Sequence, residues 1–115
     1  MTALAATAIG RAGAASPGAA VGSTDTIAGS LLGARGAILE ILNGNAAVDN
    51  ITISDFGTTA AGSPLTGNSY AASVTNATNK VFLILPSQGD PSNAGQVTVT
   101  HSVTSSVTYK LYTLP

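Results

Sequence analysis

His101 is the one histidine of the chain, and with Asp25, Glu40, Asp49, Asp55 and Asp90 it makes up the stock of side chains able to pass protons near neutral pH. A hydrolytic Ser–His–Asp arrangement can be assembled on paper from His101, any of the serines and Asp49, Asp55 or Asp90. One form of such a site holds its serine on a sharp strand-to-helix elbow, and the G-x-S-x-G pattern that builds it is absent. His101 falls in phase with Val97, Val99 and Val103, which places it on a sheet face, semi-buried or at an interface, as a structural residue. Asp49, Asp55 and Asp90 sit at strand ends or in loops. They offer oxygen ligands for calcium, but they are widely spaced and follow no EF-hand pattern, and turn formation explains them better. No catalytic, cofactor-binding or metal-binding residue is assigned. No cofactor is expected, and the chain does not read as an enzyme.

The remaining motifs are equally poor in chemistry. Gly10-Arg11-Ala12-Gly13 lacks the lysine of a phosphate loop and follows no strand. Asn50-Ile51-Thr52 and Asn76-Ala77-Thr78 match the glycosylation sequon, an unremarkable occurrence in a chain with 7 Asn and 15 Thr. The aromatic residues are Phe56, Tyr70, Phe82, Tyr109 and Tyr112, with no Trp. A sugar-binding platform or a surface that stacks single-stranded bases normally needs more. Tyr109 and Tyr112 lie on opposite faces of the last strand, so at most one belongs to the core, and the other either anchors a partner or simply lies on the surface.

These residues stand in an unusual background. Of 115 residues only 8% are charged, against about a quarter in a usual soluble domain, and the net charge is -1. That balance lacks the basic footprint of a nucleic-acid binder or of a polybasic membrane anchor. The longest uninterrupted apolar run, Val81 to Leu85, is far too short to span a bilayer. Without cysteine there is no disulfide framework and no thiolate. Ala, Gly, Thr and Ser dominate instead, so the core must rest on a limited set of Ile, Leu, Val, Phe and Tyr. Natural sheets guard their edges with charge, and here Glu40, His101 and Lys110 are the only acidic, basic or histidine side chains well within the firm strands, with Lys80 and Asp49 at strand ends. Such a surface suits a protein that works packed among copies or against a larger scaffold.

From Asp25 onward the pattern predicts short strands between turn clusters. These are Thr26 to Leu32, Ala37 to Leu42, Val48 to Ser54, a weak one at Ser69 to Thr75, Lys80 to Pro86, Gln96 to Val103, and Val107 to Leu114. Ile51 and Ile53 alternate with Thr52 and Ser54, so that register is readable. The Asn43-Gly44-Asn45 turn suggests a hairpin between its flanking strands, and the last two strands read as the best hairpin. KVFLILP, at Lys80 to Pro86, is apolar at successive positions and reads as buried on both sides. The fold class is therefore all-β: a small antiparallel β-sandwich or jelly-roll-like domain over 25–115, preceded by an Ala/Gly-rich N-terminal arm over 1–24. Alanine permits a short helix over Thr2 to Ile9, which Gly10 and Gly13 would stop. The segment has neither the basic start nor the continuous apolar stretch of a secretory signal. It can lie across a neighbouring subunit, with Ile9 as apolar anchor and Arg11 as its only charge. Ile9, Arg11, Tyr109 and Tyr112 are the candidate partner-interface residues.

The order of these features resembles the small capsid decoration, or cement, proteins of tailed bacteriophages. The resemblance runs from TALAATAIGRAG at Thr2 to Gly13, through Asp25-Thr26-Ile27 and ILEILNGNAAVDNITI at Ile38 to Ile53. It continues to the Leu85-Pro86 exit and GQVTVT at Gly95 to Thr100, followed by one more strand. The stretch from Phe56 to Asn79 departs from it. The resemblance implies a β-sandwich or jelly-roll domain on the capsid exterior, made in the host cytoplasm and bound to the major capsid protein. Its copies would cluster as homotrimers, with no nucleic-acid or membrane partner, and no catalytic residue is carried over. The alternatives are another virion component (a tail-tube, head–tail or fibre domain) or a secreted carbohydrate-binding or adhesion module. The adhesion module would ordinarily bring a signal peptide and an aromatic platform.

Overall fold

The computed structural model describes residues 2–16, 18–56 and 69–114. Its strands are β1 (Thr2–Ala3), β2 (Thr7–Ala8), β3 (Ala19–Ala20), β4 (Thr24–Ile27), β5 (Ala37–Asn43), β6 (Asp49–Ser54), β7 (Ser69–Val74), β8 (Thr78–Ile84), β9 (Val97–His101) and β10 (Val107–Thr113). Single 3-10 turns occupy Gly29–Leu31, Pro86–Gln88 and Pro91–Asn93. One sheet runs β1-β4-β9-β6-β7, the other β2-β10-β5-β8, with β3 also paired to β10. The chain is thus an all-β protein of two packed sheets, a β-sandwich. The seven longer strands pair antiparallel, whereas β1 on β4 and β2 on β10 are parallel.

Period-two alternation builds the core. Leu39 and Ile41 of β5 point inward with Val107, Tyr109 and Leu111 of β10, against Ile51 and Ile53 of β6, Val97 and Val99 of β9 and Ile27 of β4. Each large side chain buried in this way contributes roughly 1.5–3 kcal/mol. Leu4, Val21 and Leu32, which lie outside the longer strands or at their margins, are buried in the same cluster. Gly36 is required where the chain enters β5. It has φ +88°, and a Cβ there would strike the Ile84 carbonyl oxygen.

Both expected hairpins are corrected. β5 and β6 lie in different sheets, as do β9 and β10, so each connection crosses the open end of the sandwich as an arch. Asn43 sets the first arch. Its buried Nδ2 donates to the carbonyls of Ala47 (2.9 Å) and Val74 (3.0 Å), and its Oδ1 accepts the N–H of Asn45 (2.9 Å). The second arch stacks on the first, with Gly44 N donating to Ser106 O at 2.8 Å and Asn45 Nδ2 to Ser105 O at 2.9 Å. A strand pattern states which residues face inward, but not which sheet they join.

Three further expectations change. The first core strand ends at Ile27, and the chain then folds into the 3-10 turn at Gly29–Leu31. The β8 run is buried on one side only: Ile84 is fully buried, whereas Val81 and Leu83 are 57% and 55% exposed. β8 is an edge strand, so its outer side chains have no layer above them among the described residues. No helix forms over Thr2 to Ile9; β1 and β2 there pair with the margins of both sheets, where edge N–H and C=O groups offer partners that a short Ala helix lacks. The turn cluster from Gly57 to Asn68 lies outside the described residues.

Candidate functional site

Strand phase brings His101 and Asp49 together from β9 and β6. The His101 Nδ1 lies 2.7 Å from Asp49 Oδ2, with the two side chains only 1% and 0% exposed. Asp49 Oδ1 accepts the backbone N–H groups of Ser102 (3.1 Å) and Val103 (3.2 Å), which leaves Oδ2 to take a proton donated by Nδ1. Ser102 is the adjacent serine, yet its Oγ is occupied as acceptor for Asn50 N at 2.8 Å. The arrangement clamps β6 to the start of the second arch. The Ser–His–Asp option therefore yields its His–Asp half in the interior. Asp90 Oδ1 accepts from Ser92 N (2.9 Å) and Ser92 Oγ (2.7 Å) and caps the turn at Pro91–Asn93. Among the described residues no group of three His, Cys, Asp or Glu side chains could hold a metal ion.

Asp25 is a second buried carboxyl, fully inaccessible on β4 and in register with Thr2. Its Oδ2 accepts Gly22 N at 2.9 Å, while its Oδ1 has no hydrogen-bond partner among the described residues. Neither its burial nor its odd oxygen was signalled by the local sequence.

The sites able to meet a partner are the two outer faces, and their chemistry differs. On the β1–β7 sheet the outward positions carry hydroxyls, amides and methyls: Thr24 is opposite Thr100, Thr26 (only 6% exposed) lies between Thr98 and Ala3, Thr52 between Thr100 and Ala71, and Asn50 opposite Ser73. The outer face of the β8 sheet is apolar with two charges at its centre. One row across it reads Leu83, Ile38, Tyr112, Thr7; the next reads Val81, Glu40, Lys110; the third reads Asn79, Leu42, Thr108, Ala20. Asn79 Nδ2 donates to Glu40 Oε2 at 2.6 Å, and Lys110 forms no ion pair with a described residue.

The four expected interface residues separate on this frame. Tyr112 lies half-buried on the outer face of β10 beside β2, and Ile9, also half-buried, donates its N–H to Thr113 O at 3.0 Å. Arg11 is exposed in the turn closed by Gly13 N donating to Gly10 O at 3.0 Å. Tyr109 points the other way: it is 6% exposed, and its hydroxyl accepts Ala5 N at 2.9 Å. It is therefore the core tyrosine of the pair, and what it holds is the chain's own N-terminal segment. Val81 and Leu83, from the run expected to be buried on both sides, belong with Ile38 and Leu42 to the outer face. Glu40 between Ile38 and Leu42, and Lys110 between Thr108 and Tyr112, mark that side as outward. Comparison with models of protein families, with curated proteins and with solved structures finds no match.

Proposed function

We propose that this chain is a virion structural protein that binds the outer surface of a tailed-phage capsid and stabilises the shell by cross-bridging capsomers. The observation that carries the reading is an apolar surface on a chain almost without charge. Val81, Leu83 and Leu85 are exposed on a domain that has four basic and five acidic side chains in all. Edge strands of free monomers are ordinarily protected by charge, and the one charged side chain of β8, Lys80, donates back to Ser73 O at 3.0 Å. Large apolar side chains left bare at an edge are suited to cover by a partner.

The N-terminal segment supports the same reading. Its two-residue strands rest on the margins of both sheets, Ile9 stays half-buried against β10, and Arg11 follows in an exposed turn. The partner is the major capsid protein, and the position is the capsid exterior. Binding energy realised only on the assembled lattice favours that lattice by mass action, and several attachment points per particle add avidity. No catalytic step, cofactor, nucleic acid or membrane enters the role.

Incubation of the purified protein with empty shells of the cognate major capsid protein tests the reading. Co-sedimentation, with cryo-EM density on the outer surface at junctions between capsomers, is the expected result. Shells that stay bare at saturating protein overturn it. Rings or tubes formed by the isolated protein would assign it instead to the tail tube, the head–tail junction or a fibre.

A further inference from the structure

The geometry points to a second copy of this chain as the occupant of the outer face of the β8 sheet. Glu40 and Lys110 are directly opposite each other on β5 and β10, half-buried at the centre of that face, yet they form no ion pair with one another. Consider a two-fold axis lying above the face, parallel to the strands and between β5 and β10. It exchanges the two sides of the face and keeps every row at its own level. Glu40 of each copy then stands over Lys110 of the other, which gives two symmetric cross-copy ion pairs from one acid and one base.

The apolar rows obey the same exchange. Ile38 on β5 and Tyr112 on β10 share a row, so each Ile38 is set over the other copy's Tyr112. One flank of the face carries the bulky, exposed Val81 and Leu83 of β8. The opposite flank carries Thr7 of β2 and Ala20 of β3, both small. Rotation brings the bulky flank of each copy over the small flank of its partner, so protrusion meets space on both sides. The other outer face carries Thr, Asn, Ser and Ala and has no charged pair among its described strand residues.

This contact takes up Val81 and Leu83, so a dimer would meet the shell through Leu85 and the N-terminal segment, and the contact is measured without shells. Sedimentation velocity of the full chain across a concentration series reads it, with thermal melting to establish that each variant is folded. The wild type sediments as a dimer. Glu40→Lys and Lys110→Glu each weaken the dimer at least about tenfold, because like charges then oppose one another across the axis. An equimolar mixture of E40K and K110E restores a heterodimer, since the all-basic face of one matches the all-acidic face of the other. That rescue cannot come from the cross-strand pair inside one chain. A wild type that remains monomeric, a trimer, or a mixture that fails to associate although both variants are folded would overturn the assignment. A monomer whose Leu83→Ser variant loses shell binding would give the face to the capsid protein instead.

Discussion

The Tyr109 hydroxyl accepts the Ala5 backbone N–H at 2.9 Å, across 104 positions of sequence. The phenol comes from the core side of β10, so the N-terminal segment is fastened from within the sandwich while β1 and β2 hold its two sides. Tyr109→Phe keeps the ring and removes the acceptor. The expected loss is about 1 kcal/mol, because Ala5 is exposed enough for water to take its N–H. Hydrogen exchange should speed up at the amides of residues 4 to 9 and remain unchanged in β5 and β6. Uniform acceleration across the molecule would show that the hydroxyl serves the whole core, not the segment.

Asp49 takes three donors: His101 Nδ1, Ser102 N and Val103 N. Asp49→Ala strips all three of their acceptor and should cost roughly 3–5 kcal/mol in urea unfolding, at about 1–3 kcal/mol for each buried donor left unsatisfied. Asp49→Asn should cost less. Its amide oxygen can keep the two backbone donors, while its NH2 group donates to His101 in the other tautomer. Equal losses for the two variants would mean that the carboxyl charge, and not the pattern of hydrogen bonds, is what the clamp uses.

Asp25 presents the opposite case, a buried carboxyl whose Oδ1 has no partner among the described residues while Oδ2 accepts Gly22 N. Asp25→Asn retains an oxygen for Gly22 and removes the buried carboxyl, so the variant should equal or exceed the wild type by up to about 1 kcal/mol. Asp25→Ala leaves the Gly22 N–H without its acceptor and opens a gap, and should lower stability by roughly 1–3 kcal/mol. Chemical denaturation of the two variants side by side reads the difference. A destabilised D25N would show that the carboxyl form itself is needed beneath β1.

Much of the sandwich was legible because alternation is local. Ile51 and Ile53, like Val97, Val99 and His101, declare an inward face without reference to any partner. Pairing is not local. The Asn43–Ala47 connection fits a hairpin and an arch equally well in length, and the deciding hydrogen bond from Asn43 Nδ2 goes to Val74 O, 31 positions away. The same holds for His101, whose phase was readable and whose acid, Asp49, lies 52 positions upstream. The outer face escaped because Ile38, Leu42, Val81 and Leu83 have the composition of a core. Hydrophobicity alone does not distinguish burial by the chain itself from exposure, and only Glu40 and Lys110 betrayed the side on which they lie.

Adjacent positions of β8 provide the sharpest contrast in the molecule. Ile84 is opposite Ala37 and fully buried, whereas Leu83 is opposite Ile38 and 55% exposed. If the strand were covered on both sides, Leu83→Ala and Ile84→Ala would be equally costly. With one side bare, Ile84→Ala removes packed methyl groups and opens a cavity, at about 2–5 kcal/mol. Leu83→Ala removes area that water already reaches and should change monomer stability by no more than about 0.5 kcal/mol. Urea titrations at protein concentrations below the association range isolate the monomer term. Repeating them at high concentration should reveal a further loss for Leu83→Ala, because self-association stabilises only a folded chain that keeps this side chain. A Leu83→Ala penalty as large as that of Ile84→Ala at low concentration would mean that something within the chain covers the outer side of β8, and the docking face would be lost with it.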